Sequence, residues 1–97
     1  MEFVQIIEFR SSDVDKIQAL DHEWRQATEG KRTLRRSIMC RDRNDANRHL
    51  VLAFFDSPDS ADVNSELPET AAFATQVSTI VDAPLVFQDL DIIEDLT

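Results

Sequence analysis

The order of two kinds of hydrophobic pattern along the chain constrains the fold most strongly. Four short stretches are wholly apolar or have the two-residue period of a strand, and two longer stretches have the three- and four-residue spacing of an amphipathic helix. The predicted order is therefore strand, helix, strand, strand, helix, strand. This is the split βαβ, or ferredoxin-like, arrangement. We predict an α+β fold in which a four-stranded antiparallel sheet carries two helices on one face.

The predicted strands span residues 2–10, 34–42, 48–56 and 85–93. In the first strand, alternation places one set of side chains on the face that we assign to the helices, namely Phe3, Gln5, Ile7 and Phe9. The third strand is apolar on both faces, as expected of a central strand. The turn-forming residues between the second and third strands predict a hairpin.

Capping residues define the predicted helices. The first helix follows the N-cap residue types of Ser11–Asp13 and ends before Gly30, the only glycine, which suits a left-handed position after a helix. Ser57–Pro58 begins a second helical segment. Because proline interrupts a continuous helix, we predict a short helix or turn, a break near Leu67 and a main helix from about Pro68 to Val81.

Two helices cover only one face of such a sheet, and the opposite face is also apolar. Its predicted residues are Val4, Ile6, Leu50, Leu52 and Phe54. A patch of this kind is larger than a soluble monomer normally exposes. We therefore predict a homodimer that forms through this sheet face.

The chain is acidic, with a net charge of −9 and an isoelectric point near 4.4. This balance disfavours nucleic acid and anionic membrane surfaces as partners, since both are recognised by clustered basic residues. Seven of the ten basic residues lie between Lys31 and Arg48. This segment is compatible with self-complementary charge in a symmetric dimer, with attraction of an anionic small ligand, or with a merely solvated hairpin.

Length and hydropathy predict one cytoplasmic domain over residues 1–97. The longest unbroken apolar run, Leu50–Phe55, is too short to span a bilayer or to serve as the core of a signal peptide. The hydrophobic fraction of 42% is sufficient for a folded core despite the high net charge.

The length, the order of elements and the hairpin resemble the dimeric α+β barrel superfamily. The stretches that carry the resemblance are Arg41–Asn47, Leu50–Leu52, Leu67–Thr70 and Phe73–Ala74. They are similar to the small antibiotic-biosynthesis-monooxygenase-like proteins, in a subgroup with no assigned activity. The resemblance implies paired sheets and, in each subunit, a cavity between sheet and helices where oxygenase members bind an aromatic substrate or haem.

The haem-degrading members of that superfamily carry an Asn on the first strand together with a Trp and a His. Here Gln5 lies on the first strand, and Trp24 and His22 lie on the first helix at positions that do not match. We therefore predict no cofactor and carry over no catalytic residue. With only two histidines, His22 and His49, and one cysteine, we also predict no metal site.

The residues that are candidates for a ligand cavity are Gln5, Trp24, His22, His49 and Phe73. An apolar cavity with a polar handle such as Gln5 is typical of a small-molecule site. The alternative is a closed core in which a backbone group satisfies the Gln5 amide.

Three functions are compatible with the sequence. The first is binding of a hydrophobic small molecule, and the second is cofactor-independent oxygenation of an aromatic compound with His22 or His49 as base. The third is a structural or regulatory protein contact. A cavity of several hundred Å³ beside Trp24 supports the first two, whereas a filled core supports the third.

Overall fold

The structure is a computed structural model that describes residues 2–97. Its elements, in chain order, are β1 (Phe3–Arg10), α1 (Val14–Ala27), β2 (Arg36–Asp42), β3 (Asp45–Phe55), α2 (Pro58–Glu66), α3 (Pro68–Ser78) and β4 (Val86–Asp91). None of the helices in the described range has the length and apolarity needed to cross a membrane.

The four strands form one antiparallel sheet in the order β2-β3-β1-β4. The predicted α+β, ferredoxin-like fold is confirmed. Strands β1 and β3 are the two central strands, and they pair from Phe3 opposite Phe55 to Arg10 opposite Arg48. Their central position explains why both carry apolar residues on both faces.

The strand register divides the sheet into a helix-covered face and a bare face. Phe3, Gln5, Ile7 and Phe9 lie on the helix-covered face, as predicted. Two clusters of buried residues form the core on this side of the sheet: Phe3, Ala53, Phe55 and Ala61 in one, and Phe9, Ile17 and Val77 in the other. Each cluster joins strand residues to a helix, so burial of this face holds the helices on the sheet.

The bare face carries the apolar residues that the sequence placed there. The register puts Val4, Ile6, Leu50, Leu52 and Phe54 on one side of the sheet, and Ile38 and Leu90 join them from the edge strands. None of these residues belongs to either core cluster. The side chains on β1 and β3 are only half-buried, and Leu90 is exposed.

The helix boundaries follow the predicted capping residues closely. The Asp13 carboxylate accepts a hydrogen bond from the Lys16 backbone N–H, and the Ser57 hydroxyl accepts one from the Ser60 N–H at 3.1 Å. Leu67 is extended, with φ −62° and ψ 135°, as a residue before proline usually is. The predicted break is therefore confirmed, and it separates α2 from α3. Gly30 has φ +80° and occupies the left-handed region.

The hairpin is tighter than predicted. Only Arg43 and Asn44 lie between the strands, and β3 begins at Asp45 rather than at residue 48. The cause is side-chain bonding to the backbone, since Asp42 accepts from the Asn44 N–H at 2.8 Å and Asp45 from the Asn47 N–H at 3.2 Å. A register shift at the end of β2 accommodates the extra residues of β3.

An ionic network joins β1 to this hairpin. Arg48 donates to Glu8 at 2.8 Å and to Asp42 at 3.0 Å, and Arg10 donates to Asp45 at 2.8 Å. Glu8, Arg10 and Arg48 alternate with the helix-covered positions. The bare face therefore has an apolar centre and a charged end.

Hydrogen bonds lower the pKa values of the two hairpin carboxyl groups. The pKa of Asp42 lies below its ordinary value of 3.8, chiefly because of the Asn44 backbone N–H and then because of Arg48. The Arg10 guanidinium, followed by the Asn47 N–H, lowers the pKa of Asp45 in the same way. The ionised forms of both groups are therefore favoured in the folded protein.

We expect the hairpin to weaken on acidification. Because both pKa values are depressed by folding, the carboxylates stabilise the fold fully above about pH 5, and that contribution is lost as pH falls through the folded pKa values. Urea unfolding between pH 5 and pH 2 should show a smaller loss of stability in an Asp42→Asn, Asp45→Asn double variant than in the wild type. Equal losses in the two proteins would contradict this assignment.

Candidate functional site

A cavity of about 310 Å³ lies between the helix-covered face of the sheet and the helices. It is partly open to solvent, and most of its lining is apolar. All four strands and the three helices contribute lining residues. A space of this size is far larger than the voids of a close-packed core, which seldom exceed a water molecule.

Two cross-strand rows form the floor of the cavity. One row runs Ser37, Ala53, Gln5, Asp89 across β2, β3, β1 and β4. The next row is apolar and runs Met39, Val51, Ile7, Phe87. Since neighbouring strands lie about 4.8 Å apart, Ser37 and Gln5 flank Ala53 at opposite sides of the central floor position. The small Ala53 side chain leaves the space above it open.

Side chains of α1 and α3 form the roof. Trp24 of α1 is buried, and its ring centroid lies 6.2 Å from that of Phe73 in α3, with the rings tilted by 47°. The Trp24 indole N–H donates a hydrogen bond of 2.9 Å to the Thr70 hydroxyl. This bond links the two helices across the cavity and fixes the orientation of the indole ring.

The Gln5 side chain is held by its neighbour in the same cross-strand row, a residue that does not itself line the cavity. The Gln5 amide nitrogen donates to the Asp89 carboxylate at 2.9 Å. Because an ionised carboxylate only accepts, this bond sets the orientation of the amide and leaves its carbonyl oxygen free. The partner of Gln5 is thus a side chain on β4, rather than the backbone group that the closed-core alternative required.

Arg25 of α1 joins two further lining residues. It donates to the Asp21 carboxylate at 3.2 Å and to the Ser37 hydroxyl at 2.6 Å. Arg32 in turn donates to the Arg25 backbone carbonyl at 2.7 Å. The guanidinium therefore ties the first helix to the edge strand β2 at one side of the cavity.

The sequence-predicted candidates divide into two groups. Gln5, Trp24 and Phe73 line the cavity together. His22 is exposed on α1 and His49 is buried on β3, and neither is among the lining residues. In the described part of the chain, no three His, Cys, Asp or Glu side chains are grouped as metal ligands would be.

His49 is 2% exposed and has an unusual environment. Its ring stacks on Phe9, with centroids 4.9 Å apart and planes 11° from parallel. Neither ring nitrogen has a hydrogen-bond partner among residues 2–97. The strand register, which pairs His49 with Phe9, places its ring on the helix-covered face.

Sequence reasoning missed five polar lining residues, Asp21, Ser37, Asn64, Ser65 and Thr70. Asp21 does carry a signal, because it falls four residues after Ile17 and three before Trp24 on the apolar stripe of α1. Ser37 and Thr70 carry no comparable signal, since their roles depend on partners in distant elements.

Three of the seven basic residues in this segment form ion pairs with carboxylates in the part of the chain that the structure describes. Besides the hairpin network, Lys31 pairs with Glu69 at 3.1 Å and Arg35 with Asp56 at 2.7 Å. The Lys31 ammonium, followed by the backbone N–H of Glu69 itself, lowers the pKa of the Glu69 carboxyl group. These pairs lie at the solvated surface, and the other four basic residues of the segment form no ion pair among residues 2–97.

Comparison with known proteins shows similarity at the level of the fold. No family model matches the sequence, and no curated protein matches it. SnoaB, a cofactor-independent oxygenase from Streptomyces nogalater, superposes with a TM-score of 0.82 at 12% identity over 98% of this chain and 96% of that chain. A Caulobacter crescentus protein named as an antibiotic biosynthesis monooxygenase gives 0.82 at 10% identity over 96% and 91%.

A third solved structure, Rv0793 from Mycobacterium tuberculosis, has a TM-score of 0.80 at 13% identity and covers both chains completely. The resemblance to the antibiotic-biosynthesis-monooxygenase-like fold is therefore confirmed. At these identities the similarity concerns the fold alone, and any function depends on the side chains that this chain places in the site.

We expect His49→Phe to raise the free energy of unfolding by about 1 kcal/mol. The substitution keeps an aromatic ring on Phe9 and removes two buried nitrogens that have no partner among residues 2–97. Urea unfolding at neutral pH measures the change. Loss of stability in both His49→Phe and the smaller His49→Leu would show that a ring nitrogen makes a stabilising contact.

Proposed function

We propose that this chain acts as a single domain that binds a hydrophobic small molecule in the cavity between its sheet and its helices. The observation that carries the proposal is the space of about 310 Å³ above Ala53 and beside Trp24. Ligand pockets commonly measure roughly 300–1,000 Å³ and combine an apolar lining with a few polar groups. This cavity has that composition, with Gln5, Ser37 and Thr70 among apolar side chains.

A cofactor-independent oxygenase is the second candidate, and it is supported by the similarity in fold to SnoaB, which is such an oxygenase. An enzyme of this kind needs a dry pocket and a proton acceptor near the substrate. The two histidines considered for that role lie outside the cavity lining, whereas the Asp21 carboxylate lies within it and pairs with Arg25 at 3.2 Å. This arrangement favours binding as the primary function. A regulatory protein contact would not require the open cavity.

We further propose that two copies associate through the bare face. Its centre is apolar on three adjacent strands, with Ile38, Leu52 and Ile6 in one cross-strand row. Such a face is self-complementary under two-fold symmetry, since the same patch serves on both subunits. The charged groups at its end are paired within each subunit, so they form a polar border at one end of the apolar centre.

Filling the cavity should abolish ligand binding without unfolding the protein. We expect Ala53→Leu to weaken binding of the neutral fluorescent probe N-phenyl-1-naphthylamine at least about tenfold, because the larger side chain enters the space that the probe needs. The free energy of unfolding should change by less than about 1 kcal/mol, since a filled core would instead cost about 1–3 kcal/mol for overpacking.

Ala72→Leu is the matched control, because Ala72 lies on the exposed surface of α3 outside the cavity lining. Fluorescence titration measures binding, and urea unfolding measures stability. Wild-type affinity in Ala53→Leu, or no probe binding by the wild type, would contradict the proposed function.

A charge at the centre of the bare face should separate the two copies. At micromolar concentration, we expect sedimentation equilibrium to give the wild-type protein about twice its chain mass of 11.1 kDa. The Leu52→Glu variant should have the mass of a single chain. A buried interfacial carboxylate without a partner is strongly unfavourable. Val63→Glu, at an exposed apolar position of α2, places the same charge away from this face and should remain dimeric. A monomeric wild type would contradict the dimer.

A further inference from the structure

Two hydroxyl groups of the cavity lining accept hydrogen bonds from other side chains. The Ser37 oxygen receives a hydrogen bond from the Arg25 guanidinium, and the Thr70 oxygen receives one from the Trp24 indole. Neither arginine nor the indole can accept a hydrogen bond in return. The direction of each bond is therefore fixed, and the hydroxyl proton of each residue remains available.

Neither proton is used by the protein itself. Within residues 2–97, neither hydroxyl donates to a backbone or side-chain acceptor. Both side chains line the same cavity, one from β2 and the other from the first turn of α3. The Arg25 contact is charge-assisted and polarises the Ser37 hydroxyl, which strengthens it as a donor.

The charges around the cavity are not suited to an anion. Arg25, which contacts the lining residues Asp21 and Ser37, is already paired with Asp21, and Asp89 lies at the other end of the polar floor row. With a net charge of −9 on the chain, a ligand carboxylate would meet no free positive charge in this lining and a repulsive overall field.

We infer that the cavity ligand carries an uncharged acceptor oxygen, such as a ketone, which receives hydrogen bonds from Ser37 and Thr70. This inference rests on the proposed small-molecule binding and adds the chemical class of the ligand. It makes these two hydroxyls the groups that determine specificity. The apolar lining binds the remainder of the molecule.

Three bicyclic probes of nearly the same shape test the inference: 1-tetralone, tetralin and 1,2,3,4-tetrahydro-1-naphthoate. The single indole N–H signal of Trp24 in a nitrogen-15 correlation spectrum reports binding at the cavity. Burial of a carbonyl without a partner is unfavourable, so a purely apolar cavity should prefer tetralin by about 3- to 30-fold. We expect wild-type protein instead to bind 1-tetralone at least as tightly as tetralin, and the carboxylate about tenfold more weakly.

Ser37→Ala and Thr70→Val should each shift the preference toward tetralin by about three- to tenfold, the effect of one lost hydrogen bond. Thr70→Ser retains a hydroxyl and should keep the wild-type preference. Thr75→Val is the control on the exposed face of α3 and should also keep it.

The outcomes separate this inference from the function on which it rests. If wild-type protein prefers tetralin, if both variants keep the ketone preference, or if the carboxylate binds as tightly as the ketone, the assignment of the hydroxyls is overturned while small-molecule binding stands. If no probe moves the Trp24 signal, both proposals fall together.

Discussion

The two apolar faces of the central strands are the constraint on which the rest of the structure depends. Successive residues of β1 point to opposite sides, so Gln5 faces the helices while Val4 and Ile6 face away from them. A slip of one residue in the pairing with β3 would exchange the two faces completely. The register therefore fixes at once which residues form the core, which line the cavity and which make up the bare face.

The cavity exists because the helices cover this face of the sheet without filling the space above it. Ala53 provides little volume at the middle of the floor, and Pro68 divides the covering segment into two short helices. The Trp24–Thr70 hydrogen bond then holds α1 and α3 together above the gap. Two local features, a small side chain and a proline break, and one long-range hydrogen bond between helices therefore produce the opening.

Local patterns were sufficient to predict the element order, the break at Leu67 and the two faces of β1. Of the five candidate ligand residues, Gln5, Trp24 and Phe73 line the cavity, whereas His22 and His49 do not. They were insufficient wherever a side chain is positioned by a distant partner. Arg25 reaches Ser37 on another element, and no periodicity within either segment encodes that contact. The hairpin was also predicted too long, since the carboxylates of Asp42 and Asp45 satisfy backbone donors that a longer loop would have left to solvent.

The distribution of ionisable groups argues that this site recognises a ligand more readily than it transforms one. The lining carboxylate Asp21 pairs with Arg25, and the Asp89 carboxylate accepts a hydrogen bond from the Gln5 amide. The buried His49 stacks on the lining residue Phe9 but does not itself line the cavity, so its ring serves as packing behind the lining. Free hydrogen-bonding capacity in the lining includes neutral groups, among them the hydroxyls of Ser37 and Thr70 and the carbonyl of Gln5. Neutral donors and acceptors at fixed positions in an apolar space select a molecule by where its oxygen atoms lie, which is the property of a binding site.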